Sequence, residues 1–325
     1  MRNVPVITCV GEAIIDFFAA HPVPSLSQAS AFVRRPGGAA ANLCVGIRKL
    51  GVNAAFVGAV GNDAFGSYLQ QELSRHGVDI TDMVPAENFK TRLAFVSVSK
   101  NGDRDFDFWE KSPADTRLVI SNRSIKKLSR SRIVHFSSFL LLAEPARSGT
   151  LRAMRKLIHT CPLVTFDPNL RLSLWKSRAE ARKMHLRMIR YCHLLRLNAD
   201  EARFLTRKNS LSAAVENFHR LGPSVVVVTL GEDGCYCSTP RGSVYIPVFA
   251  VRPLDTTGCG DAFLAGLLTG IVLENKPLDD IELPAWFDLC RRGNAAGALT
   301  ATKRGGMSAL PTAQALRAFL KRHPV

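Results

Sequence analysis

The residues best suited to chemistry lie in the stretch Asp255-Thr256-Thr257-Gly258-Cys259-Gly260-Asp261-Ala262-Phe263-Leu264-Ala265-Gly266. The small residues Gly258, Cys259 and Gly260 let an anion approach the backbone where a helix is expected to begin. Free N–H groups and the positive end of the helix dipole would meet it there. Asp261, in the same turn, is placed to accept a proton from an attacking hydroxyl. The helix is predicted to be amphipathic, with Phe263, Leu267 and Ile271 on one stripe. A plainer reading is a glycine-rich turn whose aspartate only caps the helix.

Three other polar stretches fall where strands are predicted to end. Asp167-Pro168-Asn169-Leu170-Arg171 follows Leu163–Phe166, and Asn198-Ala199-Asp200-Glu201 follows Leu194–Leu197. Gly231-Glu232-Asp233-Gly234 follows Val225–Leu230. Each has a plain explanation, because loops are polar and helix N-caps favour Asn and Asp. In open α/β sheets, however, ligands bind beyond the carboxyl ends of the strands, and three such stretches at one edge point to a composite site.

The elements that must position them follow from periodicity. Further strands are predicted at Val6–Val10, Ala55–Val60 and Ile133–Phe136, and the run from Val225 to Leu230 is of the kind buried on both faces. Helical patterns lie between, for instance Leu43, Ile47 and Leu50, closed by Gly51 as a C-terminal cap. This alternation predicts an α/β fold with a doubly wound, mostly parallel sheet and helices on both faces. Ile14 to Arg35 and Arg92 to Trp109 break the pattern. Both read as extended or hairpin segments, the second with a turn at Asn101-Gly102. They predict a small β-sheet outside the main layer, serving as a lid or a dimer contact. The expected division is an α/β body of residues 1–12, 36–90 and 111–325 with a β lid of residues 13–35 and 91–110.

Composition excludes several classes. The chain has 325 residues, of which 46% are hydrophobic and 22% charged, as in a soluble globular protein. No apolar stretch approaches the ~20 residues needed to span a bilayer, and the apolar run near Met1 is too brief for a signal peptide. A cytoplasmic protein with no membrane partner is expected. The eight cysteines include no Cys-x-x-Cys pair, and the eight histidines show no ligand-like spacing, so reduced, buried thiols are expected. The net charge of +16 is concentrated in Arg117–Lys156 and Arg171–Lys208. In the second stretch Arg178, Arg182, Lys183, Arg187 and Arg190 interleave with Met184, Leu186 and Ile189, as on a solvated helix face. No nucleic-acid motif accompanies the charge, so nucleic acid is not an expected partner. The chain lacks a Gly-Lys dipeptide, which excludes a Walker A loop. It also lacks Gly-x-Gly-x-x-Gly, which excludes the Rossmann fingerprint and the protein-kinase glycine loop.

Two motifs carry a resemblance. Pro36-Gly37-Gly38-Ala39-Ala40-Ala41-Asn42-Leu43, followed by Leu50-Gly51, looks like the N-terminal glycine signature of the ribokinase-like carbohydrate kinases, the phosphofructokinase-B family. Asp255-Thr256-Thr257-Gly258-Cys259-Gly260-Asp261-Ala262-Phe263 is similar to its C-terminal signature. The two occur in this order about two hundred residues apart, and the likeness extends along nearly the whole chain. Within the family the chain most resembles fructokinases, through Gly11-Glu12, Asp16-Phe17, Ser112-Pro113-Ala114-Asp115 and Asp167-Pro168-Asn169-Leu170-Arg171 with Leu174-Trp175. Aminoimidazole riboside kinases share much of this, including a match to Gly305-Gly306-Met307-Ser308-Ala309-Leu310-Pro311. Ribose and 2-keto-3-deoxygluconate kinases belong to the same family, so their acceptors stay open as well.

The resemblance implies an ATP-dependent kinase acting on a terminal sugar hydroxyl, with fructose as the first candidate. Asp261 would be the catalytic base, Gly258, Cys259 and Gly260 the anion hole, and Arg171 a neutralising charge for the phosphoryl group. Asp16, Gly37, Gly38, Asn42 and Asn169 would bind the sugar, with Arg92, Phe108 and Glu144 at the lid side and rim. Thr229, Gly231 and Gly234 match the nucleotide loop, and Asn294, Lys303, Gly305 and Gly306 would flank adenine and ribose. Asn198 also belongs to the nucleotide side and, with Glu201, would organise Mg²⁺ through water. Asp255 and Thr257 are implied as neighbours of a monovalent cation such as K⁺. A homodimer through the lid is suggested by analogy.

Two residues depart from the family pattern. Cys259 stands where alanine is usual, and Asn198 where fructokinases often carry serine, nearer the ribokinase pattern. A relative that binds sugar or nucleotide without chemistry, in a nucleic-acid-associated assembly, would also suit the charge. Intact Asp261, Asn42, Asn198 and Glu201 argue against it. A thiol at a helix N-terminus is readily alkylated, so Cys259 is expected to react mildly with iodoacetamide and ATP to slow that reaction. Inactivation at the same rate with and without ATP would contradict this placing of Cys259.

Overall fold

Apolar runs become strands of a sheet that is covered on both sides. The computed structural model describes residues 6–98, 104–109 and 111–324, and the expected Asn101-Gly102 turn lies outside them. In chain order the strands are β1 (Ile7–Val10), β2 (Ile14–Ala19), β3 (Phe32–Gly37), β4 (Ala54–Gly61), β5 (Asp79–Ala86), β6 (Leu93–Val98), β7 (Arg104–Trp109), β8 (Ile133–Ser137), β9 (Leu163–Asp167), β10 (Leu194–Asn198), β11 (Val225–Thr229), β12 (Cys235–Thr239) and β13 (Gly242–Ile246). Nine of them form one sheet in the order β13-β12-β11-β10-β9-β8-β1-β4-β5. From β11 to β5 every neighbouring pair is parallel, and β12 and β13 add an antiparallel edge.

The chain moves outward from β1 to β4 and β5, then returns to β8 on the other side of β1 and continues to β11. This reversal makes β1 a topological switch point, where a crevice opens beyond the carboxyl ends of the strands. Two cores flank the sheet. Val225 and Val227 belong to one and Val226 and Val228 to the other, as the two-residue period of a strand requires. Helices Ala39–Lys49, Cys259–Glu274 and Leu283–Ala301 cover the first face, and Ala146–Leu157, Arg178–Ile189 and Leu211–Leu221 the second.

The helix Cys259–Glu274 corrects one expectation. Every residue from Ala262 to Ile271 is buried, so this helix has no polar stripe and is not amphipathic. It lies between the sheet and two other helices, and small residues let them close in. A Cβ on Gly46 would come within 2.8 Å of Ala265 Cβ, and one on Gly266 within 2.9 Å of the Arg292 carbonyl oxygen. The basic helix Arg178–Ile189 is one-sided: Ala181, Met184, Met188 and Ile189 are buried, whereas Arg178, Lys183 and Arg187 are exposed. No helix of the described residues is long and apolar enough to cross a membrane.

The remaining strands form a four-stranded sheet in the order β3-β2-β6-β7, with β2 antiparallel to β3, parallel to β6, and β6 antiparallel to β7. Strand β3 continues to Gly37, two residues beyond the expected lid segment. Phe17 stacks on Phe95 with ring centroids 5.2 Å apart and meets Phe65 of the helix Ala64–Arg75 edge-on at 5.8 Å. That cluster seats the small sheet on the body.

Behind it, Arg92 and Asp115 form a buried two-pronged ion pair, Nε to Oδ2 at 3.0 Å and Nη2 to Oδ1 at 3.2 Å. Removing one member would strand a buried charge, at a cost of about 3–5 kcal/mol. Asp115→Ala is therefore expected to lower the thermal midpoint sharply in differential scanning calorimetry. A midpoint equal to that of the unaltered protein would show that the pair contributes nothing.

Candidate active site

The site starts at the switch point. Glu12, just past β1, is buried and accepts hydrogen bonds from the Ala39 amide at 2.7 Å and from the Ser137 hydroxyl at the end of β8. It thereby fixes the N-terminus of the helix Ala39–Lys49 over the crevice. Burial, the largest influence, raises the Glu12 pKa, against the lowering effect of these hydrogen bonds.

One turn into that helix, Asn42 donates from Nδ2 to Oδ2 of Asp261 at 2.8 Å. Asn42 is 5% exposed, and its Oδ1 has no hydrogen-bond partner, which leaves a buried acceptor at the crevice. Asp261 lies in the first turn of the helix Cys259–Glu274, whose N-cap is Gly258. The first-turn amides of such a helix have no partner within it. Burial pushes the Asp261 pKa up to about 7; the Asn42 hydrogen bond works against this and the nearby Asp167 charge adds to it. A carboxylate at that value can both hold and release a proton near neutrality.

The small sheet adds Asp16 from β2. Its pKa is also pushed up to about 7, first by burial, with the Arg171 guanidinium pulling it down and Glu12 raising it. The diglycine makes room for this carboxylate: a Cβ on Gly37 would lie 2.0 Å from Asp16 Oδ2. Gly38, at φ +97°, holds a backbone shape that L side chains rarely adopt, with the Glu12 carbonyl 2.5 Å from any Cβ placed there.

Arg196 forms the floor. It rises from β10 to bond Asp167 Oδ2 at 2.8 Å and Thr229 Oγ1 at 2.8 Å, with its guanidinium carbon 5.7 Å from the Phe263 ring centroid. A Cβ on Gly260 would lie 2.8 Å from Arg196 Nη1, so the Gly258–Gly260 turn sits directly above this cation. Burial opposes its charge, but Asp167, Glu201 and Asp261 together keep its pKa raised.

Asn198 and Glu201 form a reciprocal capping box on the helix Ala199–Thr206. Asn198 Oδ1 accepts from the Glu201 amide at 2.8 Å, and Glu201 Oε2 accepts from the Asn198 amide at 2.8 Å. Glu201 Oε1 accepts from the Leu170 amide at 2.6 Å, which ties the loop after β9 to this helix. Burial raises the Glu201 pKa, and Asp167 raises it further. Asn169, at φ +38°, and Arg171 belong to that same loop. Among the described residues no group of three or more His, Cys, Asp or Glu side chains is arranged to hold a metal ion.

At the end of β11, Gly231 to Asp233 make a tight 3₁₀ turn closed by Gly234. Asp255 joins two loops by accepting from the Thr257 amide and the Gly305 amide, each at 2.9 Å. Thr257 Oγ1 is buried without a hydrogen-bond partner. Gly306 faces Asn42, with 3.4 Å from its ideal Cβ to Asn42 Oδ1. Other candidates are otherwise engaged. Arg92 is held by Asp115, Asn294 donates to the Ile246 and Pro247 carbonyls at 3.2 and 3.0 Å, and Lys303 is exposed. Glu144 is exposed and takes hydrogen bonds from Ser148. Phe108 reaches the body, 6.0 Å from the Phe139 ring. Cys259 is only partly buried, whereas the other seven cysteines are buried.

Sequence reasoning overlooked Arg196 and His135, and named Asp167 and Glu12 within motifs without giving either carboxylate a role. His135 pairs with Thr165 at 3.0 Å, and burial lowers its pKa to about 4. The signal was present in Leu194-Leu195-Arg196-Leu197 and Ile133-Val134-His135-Phe136. A polar side chain inside a strand buried on both faces needs a partner there.

Residues 5–313 match the model of the pfkB family of carbohydrate kinases. The chain is 38% identical to Fructokinase-1 of Oryza sativa subsp. japonica over 309 residues, covering 94% of each. Fructokinase from Vibrio cholerae O395, solved with fructose, ADP and calcium ion, superposes with a TM-score of 0.85 at 32% identity, covering 98% of this chain and 99% of that one. A double mutant of the same enzyme, with fructose, ADP and potassium ion, gives 0.86 at 31% identity over 98% of each. Aminoimidazole riboside kinase from Salmonella enterica, complexed with aminoimidazole riboside and an ATP analog, gives 0.80 at 28% identity, covering 97% of this chain and 99% of that one. Sequence, fold and site geometry thus agree, and the chain belongs to the pfkB family of carbohydrate kinases.

Proposed function

We propose that this carbohydrate kinase transfers the γ-phosphoryl group of ATP to the terminal hydroxyl of fructose, giving fructose 6-phosphate and ADP. The observation that carries the reading is the Asp261 carboxylate. Asn42 holds it in the first turn of a helix, at a pKa of about 7. The curated fructokinases, 34–38% identical to this chain, support fructose over aminoimidazole riboside, whose kinase from Salmonella enterica is 28% identical.

In this mechanism the sugar lies between Asp16, the Gly37-Gly38 backbone and Asn42. Asp16 accepts hydrogen bonds from hydroxyls, and the partnerless Asn42 Oδ1 accepts another. The attacking oxygen forms a bond to the γ-phosphorus as the bond to ADP breaks, and its proton passes to Asp261. The Gly258, Cys259 and Gly260 segment, with the Asp261 amide, receives the negative charge, and Arg171 neutralises more of it. Thr229, Gly231, Gly234, Asn294, Lys303, Gly305 and Gly306 line the nucleotide side. Phe108 lies at the lid side of the sugar and Asn169 at its rim, and Arg92 supports the lid from behind. Glu144 belongs to the outer rim.

The donor set fits Mg²⁺ held through water. Both Glu201 oxygens and Asn198 Oδ1 already accept backbone amides, leaving lone pairs for water rather than for direct ligation. An ion held there would offset the negative charge of the phosphate oxygens. The orphaned Thr257 Oγ1 beside Asp255 fits a monovalent cation.

We divide the chain into a body of residues 1–12, 36–90 and 111–325 and a lid of residues 13–35 and 91–110, the lid excluding water as a rival acceptor. Val33, Phe106 and Trp109 of the lid are exposed apolar residues and support a homodimer through that sheet. A cytoplasmic setting suits eight free cysteines.

Asp261→Asn is expected to leave fructose binding intact while lowering kcat by ~10² or more. Retained turnover would remove Asp261 from the role. A base must be ionised to act, so kcat/KM should fall as pH drops through about 7, the value to which both Asp16 and Asp261 are pushed. A profile flat down to pH ~5 would contradict that assignment. Gly37→Ala should raise the fructose KM by ~10-fold or more through its collision with Asp16 while leaving the ATP KM unchanged. An unaltered fructose KM would mean that Asp16 does not touch the sugar.

A further inference from the structure

One face of the lid carries Arg35, Asp16, Ala94 and Phe108 in a single register row. Asp16 pairs with Arg35 across β2 and β3 and with Ala94 across β2 and β6, and Ala94 pairs with Phe108 across β6 and β7. Directly paired residues point to the same face, so Arg35 shares the face of Asp16. Both ends of the row reach the body. Phe108 meets Phe139 at one end. At the other, the Arg35 guanidinium rests on Gly305, where a Cβ would lie 2.3 Å from Nη1.

Gly305 and Gly306 border the anion-binding turn. A Cβ on Gly258 would lie 3.4 Å from Gly306 Cα, and Gly306 in turn faces the Asn42 amide that holds Asp261. Arg35 therefore brings a positive charge from the strand beside the sugar carboxylate to the flank of that turn. Among the described residues it makes no hydrogen bond and no ion pair; its one aromatic neighbour, Phe18, has its ring centroid 5.9 Å from the guanidinium carbon. Asp16, although directly opposite in the register, is influenced by Arg171 instead. The side chain is only partly exposed. A half-buried guanidinium with all five donors uncommitted is suited to the oxygens of a phosphate.

We propose that Arg35 binds the phosphoryl group on the acceptor side of the transfer, contacting it as it reaches the sugar hydroxyl and holding it in the sugar phosphate product. This rests on the sugar-kinase reading of the same site and adds to it a second cation, carried by the lid, beside Arg171 of the body. The bond made and broken is unchanged; Arg35 neutralises charge on the non-bridging oxygens.

The test is calorimetric titration of the unaltered protein, Arg35→Ala and Arg35→Lys with ADP, fructose, fructose 6-phosphate and, in the presence of ADP, inorganic phosphate, together with kcat and KM. Arg35→Ala should weaken fructose 6-phosphate and phosphate by about tenfold or more and lower kcat similarly, as loss of a charge-assisted hydrogen bond does. Fructose and ADP should bind within about twofold of normal, and Arg35→Lys should recover part of the loss. Unchanged phosphate and product affinity would overturn the proposal, and so would an equal weakening of fructose or ADP. If phosphate binding depends on Arg35 but fructose does not bind at all, the acceptor assignment fails and the role of Arg35 stands.

Discussion

A single hydrogen bond, 2.8 Å from Asn42 Nδ2 to Asp261 Oδ2, joins residues 219 positions apart. It forms only if the N-termini of two helices meet above the sheet, and the structure secures that meeting at several levels. Glu12 at the end of β1 holds the first helix by its Ala39 amide. Gly46 against Ala265 lets the two helices approach where larger residues would separate them. The second helix is buried all round from Ala262 to Ile271, so it has little freedom to shift. A switch-point strand, a buried glutamate and two helices therefore fix one carboxylate within reach of the crevice.

Electrostatics set how that carboxylate behaves. Glu12, Asp16, Asp167, Glu201 and Asp261 all converge on a poorly solvated crevice, and among the described residues Arg196 and Arg171 are the cations that act on them. Desolvation disfavours the charges of Glu12, Asp16, Glu201 and Asp261, and neighbouring acids add to the effect. Asp261 and Asp16 are consequently both drawn toward neutrality, while Arg196, bonded to Asp167 and Thr229, remains charged beneath the turn. A carboxylate drawn toward neutrality above a fixed cation is costly for folding and suits the proposed role of Asp261 as base.

Much of this was legible in the amino-acid order. The β-branched runs placed the strands because a strand buried on both faces has few other compositions, and the Gly258–Asp261 turn announced itself by small residues followed by an apolar helix. The glycine signature at Gly37-Gly38 was visible, although only the structure shows that Gly37 makes room for the Asp16 carboxylate. The helix after Asp261 was misread as amphipathic because an i, i+4 stripe is visible in any apolar helix; its full burial depends on neighbours from distant sequence. Arg196 was overlooked for a related reason. Its partners Asp167 and Thr229 come from the adjacent strands, and pairing across a parallel sheet leaves no local spacing to read. The Asn198–Glu201 spacing carried two meanings at once, a capping box and a place for water around an ion, and the geometry displays the first while leaving lone pairs for the second.

The most direct test is ADP release from MgATP with fructose, ribose, aminoimidazole riboside, 2-keto-3-deoxygluconate and adenosine offered in turn. Strong release is expected with fructose, with fructose 6-phosphate as the accompanying product and little response to the others. Strong release with another acceptor and none with fructose would contradict the substrate, and silence with every acceptor would contradict the catalytic role given to Asp261.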